Sequence, residues 1–334
     1  MAAAEVKPGS AGFSYHRRLD AAILVHRRDL GHVEIMADHF LRAPRESWAI
    51  LRRLKTFLPV TAHGIGLSLG SAEGLDPDYL EKVWDFLDFL KPAYFSEHLA
   101  FTRAGGKVLP HFAPLPRDAS ALRALSRNAA LLRSGMACPF LVENPAFPIE
   151  VPGGWGEGEF LTRAADAAGA DILLDLHNLH ANAVNRGFDA FAELERLPAG
   201  RVREVHLAGG YKGKRWLIDS HTRPAPDEVY ALLTRVRELG ADPLVTLEWD
   251  DGFPAMEEIV AQLRRARGPA ASVPAFAPAF APVGGGLDLA DYQDRFVAAM
   301  QNGAVAPVAG IPVRDLSDYA AGLSRKALKS LPAA

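Results

Sequence analysis

DILLDLHNLHANAVN, Asp171 to Asn185, opens as an apolar run short enough to be a strand and then crowds Asp175, His177, Asn178, His180, Asn182 and Asn185 together. An apolar run of about four to eight residues reads as a strand buried on both faces, the pattern of a parallel sheet. The polar half after Asp175 reads as an irregular loop, braced by Asn182 and Asn185 through side-chain to backbone hydrogen bonds. Whether the loop belongs to a site depends on what the other strands carry at the same end.

Seven further runs match it: GFSY (12–15), HVEIMA (32–37), VTAHG (60–64), AYFSEH (93–98), FLVEN (140–144), EVHLAG (204–209) and LVTLEW (244–249). Helical patterns lie between them. In DPDYLEKVWDFLDFL, Asp76 is a candidate cap with Pro77 at the first helical position, and PDEVYALLTRVRELG stops at Gly240. Eight strand and helix units in roughly 250 residues is the size of a (β/α)8 TIM barrel. A doubly wound open sheet is the alternative, because periodicity does not show closure. The barrel is expected over residues 1–268, followed by an Ala/Pro/Gly-rich linker over 269–286 and a short C-terminal helical extension over 287–334. In that tail LDLADYQDRFVAAMQNG places Leu289, Tyr292, Phe296 and Met300 at helical spacing, too little to bury a core of its own, so it is expected to pack on the barrel or on a partner.

Composition narrows the class. A formal net charge of -3 over 334 residues offers no basic excess for nucleic acid. No stretch approaches the ~18 apolar residues of a membrane span, and no secretory signal opens the chain, so a cytoplasmic protein is expected. The single cysteine, Cys138, reads as a small buried hydrophobe and excludes both a disulfide framework and a thiolate metal cluster.

In a barrel the chemistry sits where the strands end. Six consecutive strand candidates end in or beside a hard metal ligand: His63, His98 with Glu97, Glu143, Asp175, His206 and Glu248. LIDSHTRPAPDEV adds Asp219 and His221 on an expected irregular loop. Eight carboxylate and imidazole donors exceed the needs of one ion; two or three ions bridged by carboxylates, of a type that includes Fe, Mn and Zn, fit better. His16, His26, His32, His39 and His111 fall outside this register and read as surface or capping residues. GIGLSLGS (64–71) lacks the spacing of a dinucleotide fingerprint and reads as a loop passing close beneath the site.

AHGIGLSLGS, SEHLAFT, LVENP, ILLDLHNLHANAVNRG, EVHLAG, IDSHTRPAPDEV and LEWD, in this order over about residues 11–267, resemble the multinuclear non-heme iron-dependent oxidative enzymes, also known as domain-of-unknown-function family 692, with the methanobactin-biosynthesis enzymes among them. The resemblance implies a TIM barrel with two or three iron ions, Fe(II) and Fe(III) together, and O2 as co-substrate. It implies oxidation of cysteine or another residue in a ribosomally synthesised precursor peptide, with a small leader-binding companion protein as partner. Carried over motif by motif, it makes His63, His98, Glu143, Asp175, Asn178, His206, Asp219, His221 and Glu248 the ligand candidates, and Asp250 a candidate proton acceptor or outer hydrogen-bond partner. Asn178 enters only by this route.

Two departures stand out. His177 replaces a commoner Asn and inherits no ligand role, and Gly210 stands where many members have a His, a loss expected either to open the pocket or to signal a different substrate. His180 falls where an aromatic residue is frequent. LADYQDRFVAAMQNG resembles the opening helix of the companion family, although about 45 residues are too few for a complete companion, which leaves a remnant, a docking segment or a plain surface helix. From the residues alone, a Zn- or Mn-dependent isomerase or phosphoesterase, and a metal-storing or peptide-binding chaperone, stay open beside the oxidase.

Overall fold

The computed structural model describes residues 6–267, 280 and 285–330. Eight parallel strands close into a barrel: β1 (Ala11–Ser14), β2 (Val33–Met36), β3 (Val60–Gly64), β4 (Phe95–His98), β7 (Phe140–Glu143), β8 (Asp171–Asp175), β9 (Val202–Leu207) and β12 (Leu244–Leu247). β12 pairs with β1, so the expected TIM barrel is present and the open-sheet alternative is not. Helices cover the outside and bury apolar residues of the strands, among them Phe13, Ile35 and Phe95, which is why the strands read as continuous apolar runs. The expected cap at Asp76 is there, its side chain accepting from Tyr79 N, with Pro77 next in the chain. Most of the expected linker lies outside the described residues.

The register sets the site. His98 lies opposite Glu143, Asp175 opposite His206, and Met36 opposite His63, so neighbouring strands deliver their last side chains at one level.

Two hairpins at the ligand-bearing end of the barrel were not expected. β5 (Ala100–Ala104) and β6 (Lys107–Pro114) form one after β4; β10 (Gly209–Lys212) and β11 (Leu217–Arg223) form the other after β9. Asp219 and His221 therefore sit on an antiparallel strand rather than on the expected irregular loop. The loop expected after β8 is also corrected. Asp175 accepts from Asn178 N at 2.8 Å and starts the helix Leu176–Arg186 at once, closed by Gly187 at φ 75°.

The C-terminal helices pack on the β5–β6 hairpin. In the helix Leu289–Asn302, Tyr292 and Phe296 lie against Phe101, and the Tyr292 hydroxyl donates to Pro114 O. Gln293 is fully buried, accepting from Ala72 N and donating to Gly70 O, which ties the helix to the 64–71 loop. The helix Val313–Ser330 reaches both hairpins. Tyr319 donates to Phe112 O of β6, while Asp315 and Asp318 pair with Arg215 in the β10–β11 connection.

Candidate metal centre and its family

Every donor at the strand ends is inside the molecule: His63, Glu143, Asp175 and His206 are at most 1% exposed, and His98, Asn178, His221 and Glu248 at most 8%. Charged groups withdrawn that far from water need partners. Their distances form a connected chain. His63 Nε2 and His98 Nε2 lie 3.1 and 3.2 Å from Glu143 Oε2. His206 Nδ1 lies 3.7 Å from Glu143 Oε1 and 3.1 Å from Glu248 Oε2. His221 Nδ1 is 3.2 Å from the same Glu248 oxygen, and its Nε2 is 2.6 Å from Asp219 Oδ1 and 3.9 Å from Asp175 Oδ2.

Ligand atoms within 4.8 Å of one another form overlapping triplets: His63, His98, Glu143; then Glu143, Asp175, His206; then Asp175, His221, Glu248. Glu143 is common to the first pair and Asp175 to the second. A carboxylate has two oxygens and can bridge two ions, so the sharing has the form of a multinuclear centre. The carboxylate and imidazole candidates all join this chain, and Asn178 is tied to it through its backbone bond to Asp175. Asp250, the candidate proton acceptor, stands at the rim. Its side chain is 58% exposed, with Oδ2 3.7 Å from His221 Nδ1.

The imidazoles are oriented from behind. His98 Nδ1 faces Gly64 O at 3.1 Å, an acceptor only, so Nδ1 carries the proton and Nε2 presents a lone pair. Ser96 donates its hydroxyl to Ala62 O and receives His63 Nδ1 at 2.8 Å, freeing His63 Nε2 in the same way. Glu34 Oε2 faces His206 Nε2 at 3.2 Å and leaves Nδ1 toward Glu143 and Glu248. Such outer partners fix tautomer and direction at metal sites. Glu97 is not among the donors to the cluster: its oxygens accept from His98 N and Leu67 N, holding the 64–71 loop.

Electrostatics show what the cluster would accept. Burial works to lower the His63 pKa, but Glu143 beside it lifts it to about 10. His206 and His221 likewise rise well above the ordinary imidazole value despite burial, driven by Glu34 and Glu248 and by Asp219 and Glu248 respectively. Burial pushes Asp175 up to about 7, against the pull of His221. Protons are thus held where divalent cations would replace them. Glu143 Oε2, Asp175 Oδ2, Asn178 Oδ1, His206 Nδ1 and both ring nitrogens of His221 are buried without a hydrogen bond. Orphaned polar atoms converging on one spot fit a set of metal ions. The donors are nitrogen and oxygen throughout. Cys138 precedes β7 at the opposite end from Glu143, and burial raises its thiol to about 11.

The polar interior extends below what the sequence suggested. His32, expected at the surface or as a cap, is fully buried, and its Nε2 bonds to Thr246 Oγ1 at 2.7 Å. Thr246 in turn donates to the buried Glu204. Glu34 and Glu204 were missed although each interrupts an apolar strand, the signal that singled out Glu143. Glu34 sits inside its strand and Glu204 opens the EVHLAG run, so neither stands at the end where donors are expected. The other four histidines fit the expectation of exposed or partly exposed positions, and His16 caps by accepting from Arg18 N. Asn185 braces the second hairpin, exchanging hydrogen bonds with Leu217 N and O, and Asn182 bonds Phe147 N and Pro145 O.

Residues 10–270 match the family model described as RiPP precursor modification enzyme MbnB/TglH/ChrH. The chain belongs to that family. The UPF0276 protein of Rhizorhabdus wittichii is 36% identical over 237 residues, 70% of this chain and 84% of that protein. That of Chromobacterium violaceum is 32% identical over 267 residues, 78% and 94% of the two chains. Among solved structures, D-psicose 3-epimerase with D-fructose has a TM-score of 0.48 at 14% identity, covering 77% of this chain and 96% of the other. Endonuclease IV from Thermus thermophilus has 0.45 at 18%, covering 77% and 97%. These are distant likenesses of fold. The family makes the chain an enzyme acting on ribosomally made precursor peptides, of a metal-dependent type. The family match ends before the C-terminal helices begin. Among the described residues no helix is long and apolar enough to cross a membrane.

Proposed function

We propose that the chain is an O2-dependent multinuclear iron oxidase that modifies cysteine in a precursor peptide. The reading is carried by the overlapping ligand triplets with their orphaned donors. His63, His98 and Glu143 would hold one ion, Glu143, Asp175 and His206 a second, and Asp175, His221 and Glu248, with Asp219 against His221, a third, leaving Asn178 as a further candidate beside Asp175. A mixed imidazole and carboxylate set suits iron better than magnesium or calcium, which prefer oxygen alone. Bound iron would supply the acidity that turns a peptide thiol into a thiolate and the electrons that reduce O2.

The chain's own residues do the rest. Ser96, the Gly64 carbonyl and Glu34 hold three imidazoles in the ligating direction. Phe112 lies over His98 with ring centroids 4.0 Å apart and keeps water from that side. His221 is held at φ 47°, a conformation costing about 1 kcal/mol or more for a side-chain-bearing residue, which is the kind of strain found at functional sites. Asp250, beside His221 and open to solvent, would take the thiol proton outward.

The test is anaerobic purification and metal analysis, then O2 uptake measured together with the mass of a cysteine-bearing precursor peptide. Expected are iron, O2 consumption and a peptide mass change, all lost after chelation. Turnover with zinc in the absence of O2 would overturn the reading in favour of an isomerase or hydrolase. A companion that binds the leader would show as peptide binding dependent on a second protein.

A further inference from the structure

His177, which inherits no ligand role from the family pattern, is 1% exposed in the first turn of the helix Leu176–Arg186. Its Nδ1 lies 3.1 Å from Asp219 Oδ1, the oxygen that stands 2.6 Å from His221 Nε2. The two imidazoles meet edge to face at 6.1 Å, and His177, Asp219 and His221 each offer a ligand atom within 4.8 Å of the others. His221 Nε2 makes no hydrogen bond there, and neither does the buried Asn178 Oδ1 from the adjacent residue.

Gly210 completes the picture. A Cβ at that position would lie 2.0 Å from Ile218 O, 2.9 Å from His177 Cε1 and 3.0 Å from His177 Nε2. The glycine therefore does not open the pocket, as its sequence suggested. The space beside it is filled by the His177 ring and the β11 backbone. The two departures of this sequence from the family pattern, a histidine gained at 177 and a side chain lost at 210, are one structural exchange.

We propose that His177 is a metal ligand, binding through its imidazole the ion held by Asp219 and His221. Resting on the multinuclear reading above, the assignment goes beyond it by moving a donor from the barrel wall to the helix after β8. A second imidazole on that ion raises its nitrogen donors from one to two, which favours Fe(II) or Zn over Mg.

The competing role is positional: His177 would merely hydrogen-bond Asp219. The experiment loads metal-free protein anaerobically with Fe(II) alone and counts ions per chain after desalting, in wild type, His177→Ala and His177→Asn, with thermal melts as a fold control. As a ligand, His177→Ala binds one ion fewer than wild type or releases it at least tenfold more readily. His177→Asn loses it too, although its amide can still donate to Asp219. The small and the polar replacement, each with its melt, keep the result from depending on one variant folding. Wild-type stoichiometry and affinity in both His177 variants overturn the assignment alone. A wild-type chain that binds no iron overturns the multinuclear reading with it.

Discussion

The two hairpins at the mouth of the barrel differ in what holds them and in what they hold. β10–β11 carries Asp219 and His221 into the ligand cluster and is secured by polar contacts: Asn185 to Leu217, Asp250 N to His221 O, and Arg215 to two aspartates of the C-terminal helix. β5–β6 brings no donor to the cluster. It buries Phe101 completely under the C-terminal helices and lays Phe112 over His98. One hairpin carries candidate ligands on a polar, half-exposed mounting, and the other is an apolar wall. Elements that must rearrange around ligands are drawn from the less stable parts of a fold, and walls from the more stable.

Four experiments bear on that contrast. The largest effect is expected from ending the chain at Gly286. That removes Leu289, Tyr292, Phe296 and Val297 from the face of β5–β6, a loss on the order of 5 kcal/mol by apolar area. Thermal or urea unfolding should show it, while iron content per folded chain stays near wild type; equal loss of iron would break the division between wall and chemistry. Asp219→Ala on the other hairpin should do the reverse. Peptide oxidation should fall by more than ~100-fold, beyond the usual cost of losing a group behind a metal ligand. Metal analysis should find an ion missing with little change in melting.

Phe112→Ala should cost ~2 kcal/mol of stability, as a partly buried ring does, and accelerate loss of iron from the His98 end through added water access. Unchanged release kinetics would show that the ring shields nothing. Arg215→Ala should be the mildest, under ~1 kcal/mol, because its pairs are solvent-exposed. A larger effect in differential scanning would mean that the polar mounting is stiffer than its exposure indicates.

The barrel and its strand-end donors were legible because both signals are local. An apolar run announces a buried strand, and an acidic residue or histidine at its end stands out against it, as at Glu143 and His206. The hairpins were harder. The Gly105–Gly106 pair, at φ 57° and 70° in the turn of β5–β6, is the left-handed pair a tight hairpin uses, and it is the one sequence signal for that hairpin. β10–β11 has no such turn, and its ligands looked like loop residues. The surroundings of His177 are hidden in the sequence for a different reason. Its role depends on a helix that begins at Asp175 and on the absence of a side chain 33 positions away at Gly210, and neither is visible in the local pattern. Glu34 and Glu204 show the same limit, since their partners His206 and Thr246 come from other strands.

The helix Val313–Ser330 touches both hairpins, and its two joints are of different kinds. Tyr319 is 7% exposed and bonded to the β6 backbone, whereas the Arg215 pairs face solvent. Added salt screens the second joint and barely reaches the first. At low ionic strength the helix is a cross-brace and the hairpins move together. In concentrated salt the Arg215 joint should weaken while the buried one holds, so amide exchange over residues 213–217 should quicken while that over 107–114 does not.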